Sequence, residues 1–277
     1  MKISVTIAQI NFLEGDVSGH IGRIKNIISL NKSSDIIIFP ELILHGHPST
    51  EVSEGMLYRR IKNFYKSVRD KSADIYSYVR NINARVIFGE LREKSGNFYN
   101  VATYADRKGV QHYSKTHIHW TENFTPGNDL KIVQTPFGPI GLMICFDSAF
   151  LESWRVLALK GAKVIVNISA VPKAFPVEYM WRRCMGAALY NQIFVIYVNR
   201  PAYDFSGNSA IFNPRGDIIM NAGENETVIS SEIELDEVEQ WRTTEKIYEN
   251  RRPLLYRDII KKQAPPLGTK SAVTGHI

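Results

Sequence analysis

The stretch that decides the fold is Ile140-Gly-Leu-Met-Ile-Cys145-Phe-Asp147, followed by Ser148-Ala-Phe-Leu-Glu-Ser-Trp-Arg155. A short apolar run ends in a cysteine, and a helix-like segment follows at once. The preceding Thr135-Pro-Phe-Gly138-Pro139 predicts a tight turn, because Pro fixes φ and Gly permits positive φ. We therefore predict that Cys145 ends a buried strand on the turn into a helix. Taken alone, a plain core position is the better interpretation of Cys145, since free cysteine is among the most buried residue types.

The composition indicates a soluble globular protein. The chain has 277 residues, of which 44% are hydrophobic and 22% charged, which is enough for a sizeable core. The net charge of +6 is spread along the chain, so a solvated surface is favoured over nucleic-acid binding, although an anionic substrate stays open. The two cysteines, Cys145 and Cys184, imply no disulfide framework. With no signal-like or membrane-spanning run, we expect a cytoplasmic protein without a membrane partner.

Strand-like and helix-like segments alternate along the chain, and hairpins interrupt the rhythm. This pattern predicts a layered α/β sandwich with mixed sheets. The spacing of apolar residues predicts helices over 16–30, 54–81 and 177–191. The pattern weakens from about Thr243, and no linker divides the chain before that point. We therefore predict one domain over residues 1–242 and a C-terminal extension over 243–277.

Three polar residues each directly follow an apolar strand. Glu41 follows Ile36-Ile-Ile-Phe-Pro40, Lys115 follows Val110-Gln-His-Tyr-Ser114, and Cys145 follows Gly141-Leu-Met-Ile144. Each could have a structural role alone, but strand ends at one sheet edge are neighbours in space. A thiol nucleophile, a carboxylate that takes its proton and an ammonium that stabilises an oxyanion are a complete set for acyl transfer.

The sequence around these residues resembles the nitrilase (carbon–nitrogen hydrolase) superfamily. Phe39-Pro-Glu41-Leu-Ile-Leu-His-Gly46 is similar to its glutamate motif, and Tyr113-Ser-Lys115-Thr-His-Ile118 to its lysine motif. Gly141-Leu-Met-Ile-Cys145-Phe-Asp147 resembles its cysteine motif. The likeness extends from Lys2 to about Leu235, and three motifs in the right order are a specific signal.

The resemblance implies a four-layer α-β-β-α sandwich, a nitrilase-like fold, and a cofactor-independent amidase that binds no metal. Glu41 would be the general base and then acid, Lys115 the oxyanion stabiliser and Cys145 the nucleophile. Glu122 would match the additional glutamate that orients substrate in many relatives. The predicted substrate contacts are Phe146, Trp120, Ser169, Ala170 and Ala149.

Departures from the family pattern leave the substrate open. Many relatives carry an arginine where this chain has Ala149, which argues against an N-carbamoyl-amino-acid substrate unless Arg182, Arg183 or Arg200 reaches the site. An N-carbamoyl compound hydrolase or a nitrilase remains the alternative within the superfamily. A more distant alternative is an inactive binding or scaffold protein. Metal-dependent hydrolysis has weak support, from the histidine pairs His45/His47 and His117/His119.

The resemblance also implies partners. We expect a small-molecule amide substrate and a homodimer or larger homo-oligomer. The segment Thr243–Ile277 is suited to docking at an interface between subunits, as C-terminal segments of relatives commonly do. The sequence does not give the number of subunits.

Overall fold

The computed structural model describes residues 1–12, 16–46, 71–201 and 204–261, and within them two six-stranded sheets. The first sheet contains β1 Lys2–Gln9, β2 Ile36–Ile38, β3 Val86–Lys94, β4 Asn97–Asp106, β5 Gly109–Ser114 and β12 Thr227–Glu234. The second contains β6 Ile132–Thr135, β7 Gly138–Ile144, β8 Val164–Ser169, β9 Phe194–Asn199, β10 Ala210–Phe212 and β11 Ile218–Asn221. The helices are α1 Val17–Leu30, α2 71–82, α3 Leu151–Leu159, α4 Val177–Asn191 and α5 Asp236–Thr244.

Both sheets are mixed. The first has the strand order β12-β1-β2-β3-β4-β5, in which β1, β2 and β3 are parallel and the other neighbours antiparallel. The second has the order β11-β10-β9-β8-β7-β6, with β7, β8 and β9 parallel. Parallel neighbours end at the same edge of a sheet, so the residues that follow them are brought together.

The two sheets pack face to face around an aliphatic core. Alternate side chains of β1, such as Val5 and Ile7, belong to one buried cluster with Leu142 and Ile144 of β7 and Val166 of β8. Each such buried side chain contributes roughly 1.5–3 kcal/mol. The helices α1 and α2 cover the outer face of the first sheet, and α3 and α4 cover that of the second. The predicted α-β-β-α sandwich is confirmed.

Most predicted elements agree with the structure. Asp16 is the N-cap of α1, since its carboxylate accepts from Gly19 N–H at 2.8 Å. Of the predicted helix over 54–81, the part before residue 71 lies outside the described residues. None of the helices in the described ranges has the length and apolar character needed to cross a bilayer. The division of the chain at 242/243 stays a prediction.

Candidate active site

Glu41 lies just beyond β2, on a turn that crosses the neighbouring strand β3 at Gly89. Gly89 N–H donates to Pro40 O at 3.1 Å, and a Cβ at Gly89 would lie 2.2 Å from Leu42 N and 2.6 Å from Glu41 Cα. Only glycine permits this close approach. The Glu41 side chain is fully buried. The backbone of β3 therefore fixes where the carboxylate points.

Lys115 follows β5 and points to the same edge. Because β4 is antiparallel to both β3 and β5, β5 runs in the direction of β3. Lys115 N–H donates to Asn100 O at 2.9 Å, and Lys115 O accepts from Gly127 N–H at 2.8 Å. The ammonium is fully buried. A buried lysine requires opposite charge, and the structure supplies it.

Cys145 follows β7 and is held in the left-handed region, with φ +44°. A non-glycine residue in that region carries strain of about 1–3 kcal/mol, which the surrounding structure must maintain. The sequence-based expectation that a helix follows Cys145 at once needs correction. A 3₁₀ turn, Cys145–Ala149, comes first, and the α-helix begins only at Leu151. This turn presents the partly buried thiol at the edge of the second sheet.

The charged side chains form one compact cluster. Lys115 Nζ lies 3.1 Å from Glu41 Oε1, and 2.8 and 2.9 Å from the two oxygens of Glu122. Glu122, whose side chain is 5% exposed, also accepts from His119 N–H at 3.1 Å. Asn100 Nδ2 donates to Glu41 Oε1 at 2.6 Å. The loop carboxylate predicted as the additional glutamate therefore shares the ammonium with Glu41.

The electrostatics of the cluster set the protonation of its members. Burial raises the pKa of the Cys145 thiol, and the charge of Glu41 raises it further, against the opposing effect of Lys115. Burial alone would lower the pKa of Lys115, but Glu41, Cys145 and Glu122 outweigh it and raise the pKa well above its usual value. These surroundings thus favour the charged form of Lys115 and the protonated form of the Cys145 thiol.

The residues predicted to contact substrate lie on two sides of Cys145. Phe146 and Trp120 belong to a chain of rings around the site, in which Trp120 stacks on His119 at 3.8 Å and meets Phe146 edge-on at 5.7 Å. Ser169 and Ala170 are buried at the end of β8, and the Ala170 backbone lies close enough to Cys145 to lower the pKa of its thiol. Ala149 is exposed at the end of the 3₁₀ turn.

Two of the arginines considered for a substrate carboxylate are engaged with aromatic rings. The Arg183 guanidinium lies 4.8 Å from the Tyr179 ring centroid, and that of Arg200 lies 4.6 Å from the Phe205 ring. Arg200 also donates to Asn11 Oδ1 at 3.1 and 2.5 Å. Arg182 is exposed. Many relatives carry an arginine at the position of Ala149. Neither of the two engaged guanidinium groups could take the place of that arginine without giving up these contacts.

The histidine pairs have other surroundings. His45 is buried and its Nδ1 accepts from Leu91 N–H at 3.0 Å, whereas His47 lies outside the described residues. His117 contacts Asp147, and His119 contacts Thr121. Among the described residues, no group of three or more His, Cys, Asp or Glu side chains could hold a metal ion.

The sequence interpretation missed the residues that support the cluster. Asn100 holds Glu41 from 59 positions away, and Asp147 joins the lysine and cysteine segments across 30 positions or more. Asp147 stood in the cysteine motif but carried no assigned role. Its position two residues after Cys145 was the one signal that could have found it.

Comparison with known proteins identifies the family. The carbon–nitrogen hydrolase family model matches residues 4–243, and the chain belongs to that family. It is 30% identical to a probable nitrilase of Schizosaccharomyces pombe, covering 94% of this chain and 99% of that protein. It is 26% identical to an (R)-stereoselective amidase of a Pseudomonas species, covering 91% and 93%. The crystal structure of a carbon–nitrogen hydrolase from Helicobacter pylori shares the fold, with a TM-score of 0.84, 20% identity and coverage of 95% and 100%.

Proposed function

We propose that this enzyme hydrolyses a non-peptide amide to a carboxylic acid and ammonia or an amine, through a thioester on Cys145. The observation that carries the proposal is the fully buried Lys115 ammonium, held between Glu41 and Glu122 in electrostatic reach of the Cys145 thiol. Such a set suits acyl transfer. The Pseudomonas relative, named as an amidase, supports an amide as the substrate.

Acylation begins from the uncharged thiol. Glu41 Oε1 is occupied by Asn100 and Lys115, whereas Oε2 has no hydrogen-bond partner among the described residues and takes the thiol proton. The sulfur bonds to the amide carbon as that proton leaves. The Lys115 ammonium and the backbone N–H of Phe146 stabilise the oxyanion, and one such donor supplies about 3–4 kcal/mol. Glu41 then protonates the nitrogen, the C–N bond breaks, and the thioester remains.

Deacylation uses the same groups in reverse. Glu41 accepts a proton from water as the water oxygen bonds to the thioester carbon. The oxyanion forms again in the same place, so Lys115 and the Phe146 N–H act twice. The C–S bond breaks, the acid leaves, and Glu41 returns the proton to the sulfur. Glu122 keeps the Lys115 ammonium charged and in place throughout.

The rings around the site suit the remainder of the substrate. Trp120 is 80% exposed, and its contact with Phe146 leads directly to the residue next to the nucleophile. Phe146 also meets Phe150 edge-on at 5.3 Å. We expect this aromatic surface to contact an apolar part of the substrate, together with Ser169, Ala170 and Ala149. Trp120→Ala should then raise KM more than it lowers kcat.

A substrate panel with a trapping agent tests the proposal. The purified protein is incubated with aliphatic amides, ω-amides, N-carbamoyl compounds and nitriles, and released ammonia is measured. Added hydroxylamine should divert the thioester to a hydroxamate at the expense of the acid. Cys145→Ala should give neither product. Full hydrolysis by Cys145→Ala would overturn the proposal, and nitrile hydrolysis without amide hydrolysis would move the function to the nitrilase alternative.

We further propose that the chain forms a homodimer or larger homo-oligomer through its C-terminal region. The 3₁₀ segment Pro253–Ile260 exposes five large apolar side chains, among them Leu254 at 89% and Ile260 at 88%. Such side chains on a monomer surface are typical of an interface. Sedimentation velocity should show that removal of residues 253–277 lowers the subunit number. An unchanged assembly would contradict this role.

A further inference from the structure

Asp147 is a fully buried carboxylate that receives five hydrogen bonds. Its Oδ2 accepts from Ile144 N–H at 2.9 Å and from Tyr113 O–H at 2.7 Å. Its Oδ1 accepts from Thr116 Oγ1 at 3.0 Å, from His117 N–H at 2.9 Å and from His117 Nδ1 at 2.9 Å. A buried carboxylate is tolerated only when its oxygens are bonded, and these donors satisfy both. The arrangement is a built network and not a chance contact.

The five donors come from two separate strand ends. Tyr113, Thr116 and His117 flank Lys115 at the end of β5, in the first sheet. Ile144 is the last residue of β7, in the second sheet, and directly precedes Cys145. None of the five bonds goes to the side chain of Lys115 or Cys145. Asp147 therefore joins the backbone of the lysine segment to that of the cysteine turn.

The cysteine turn needs such support. Cys145 is held at φ +44°, a conformation that an L-residue rarely adopts unless its neighbours impose it. The Asp147 side chain bonds the N–H of Ile144 in front of the turn, and its backbone oxygen accepts from Phe150 N–H at 3.2 Å behind it. The same residue thus closes the turn at both ends.

We propose that Asp147 is the positioning residue that sets the Lys115 ammonium relative to the Cys145 sulfur. It acts through Tyr113, Thr116 and Ile144 and does not touch the reacting atoms. This inference rests on the proposed function, because it concerns the reaction that these two groups perform. A displacement of about 1 Å at a reacting centre costs about 100-fold in rate.

Asp147→Asn tests this role. The amide keeps the shape of the carboxylate but replaces one acceptor oxygen by an N–H donor, which then faces either Ile144 N–H and Tyr113 O–H or the Thr116 and His117 donors. We expect kcat to fall about 100-fold with KM changed less than about threefold, because substrate contacts stay in place while alignment is lost. The rate of Cys145 alkylation by iodoacetamide should change as well.

Asp106→Asn is the matched control. Asp106 also holds a turn, the one between β4 and β5. Its Oδ1 accepts from Lys108 N–H at 2.7 Å and from Gly109 N–H at 3.1 Å, and its Oδ2 accepts from Tyr104 O–H at 3.1 Å. It lies at the other end of β5 from Lys115. The same chemical change there should lower the melting temperature and leave kcat and the alkylation rate unaltered.

The outcomes separate the two proposals. If Asp147→Asn is folded by circular dichroism and keeps kcat within twofold, the positioning role is wrong. If it does not fold, Tyr113→Phe and Thr116→Val each remove one donor, and a wild-type kcat in both overturns the role equally. Tyr113→Phe should lower kcat, because the lysine segment then loses one of its bonds to Asp147. Failure of the proposed function would instead appear as full activity in Cys145→Ala.

Discussion

Glu41 and Glu90 are both fully buried carboxylates of the first sheet region, but their hydrogen-bond partners differ in charge and burial. Glu41 has a fully buried ammonium and the amide of Asn100 as partners. Glu90 accepts from the hydroxyls of Tyr76 and Thr103, and its cation, Arg92 at 3.4 Å, is 42% exposed. Burial alone thus does not mark a catalytic carboxylate. What distinguishes Glu41, the proposed general base, is its enclosure with a buried ammonium and a thiol.

The difference has a physical cause. The hydroxyls around Glu90 donate neutral hydrogen bonds to a carboxylate in the middle of β3, which stabilises a core. The Glu41 region places opposite charges and a free thiol at strand ends. Burial of the charged side chains of Glu41, Lys115 and Glu122 together is costly for folding, and such a cost is typical of a functional site. We expect substitutions in the two regions to separate activity from stability.

The largest effect should come from the nucleophile of the Glu41 region. Cys145→Ala should lower kcat by about 10⁴-fold or more, because no other group can form the thioester. Cys184→Ala is the control, since Cys184 is fully buried in α4 and burial raises its pKa to about 12, so it behaves as a core residue. It should cost about 1 kcal/mol of stability and keep kcat. Ammonia release and urea unfolding measure the two.

Next in size is the comparison of the carboxylates themselves. Glu41→Gln should lower kcat by about 10²–10⁴-fold, because the general base is lost while the amide keeps the shape. Glu90→Gln should keep kcat and lower the free energy of unfolding by about 1–3 kcal/mol, because buried donors lose a charged acceptor. If Glu90→Gln were inactive at a temperature where it is folded, the separation of the two regions would be wrong.

A smaller effect is expected for Glu122. Glu122→Gln removes one of the two carboxylate charges that contact the Lys115 ammonium. We expect kcat/KM to fall about 10- to 100-fold, because the ammonium loses its fixed position. Glu152→Gln, at an exposed position in the first turn of α3, should be neutral. Equal kcat/KM values for the two variants would contradict a role of Glu122 in the reaction.

The smallest effect concerns stability in acid. Burial lowers the pKa of His45 from 6.5 to about 4, partly offset by the charge of Glu90. His45 therefore binds a proton below pH 6.5 in the unfolded chain but only below about pH 4 in the folded chain. The free energy of unfolding consequently falls as the pH falls through this window. From pH 7 to pH 5 the loss is about 2 kcal/mol. His45→Gln should flatten this slope in urea titrations at the two pH values, and an unchanged slope would contradict it.

Much of the fold could be predicted from sequence. The bounds of α4 agree residue for residue with the predicted helix over 177–191, because a long periodic segment flanked by clear breaks leaves little freedom. The helix α5 was missed, since Val238 is its only buried residue among those described and gives no periodic signal. The strand β3 extends past Gly89 to Lys94 through a polar stretch, which a sequence pattern does not predict because glycine and charged residues are depleted in strands.

The site divides in the same way. Glu41, Lys115 and Cys145 could be proposed because each follows a strand and stands in a motif. Glu122 could be proposed because it matches the additional glutamate of many relatives. The 3₁₀ turn that begins at Cys145 could not be predicted, because a non-glycine residue at positive φ goes against local conformational propensity. The partners of Asp147 and Asn100 also could not, because their contacts join residues brought near only by packing of the sheets. Roles for these residues remain proposals.

The most direct test of the central claim is the mass of the acylated chain. Once an amide substrate is known, turnover is quenched in acid and the protein is mapped by peptide mass spectrometry. Our account predicts a mass increase of the acyl group less one hydrogen on the peptide that contains Cys145, retained in Cys184→Ala and absent in Cys145→Ala. An acyl group on Cys184, or undiminished hydrolysis by Cys145→Ala, would contradict it.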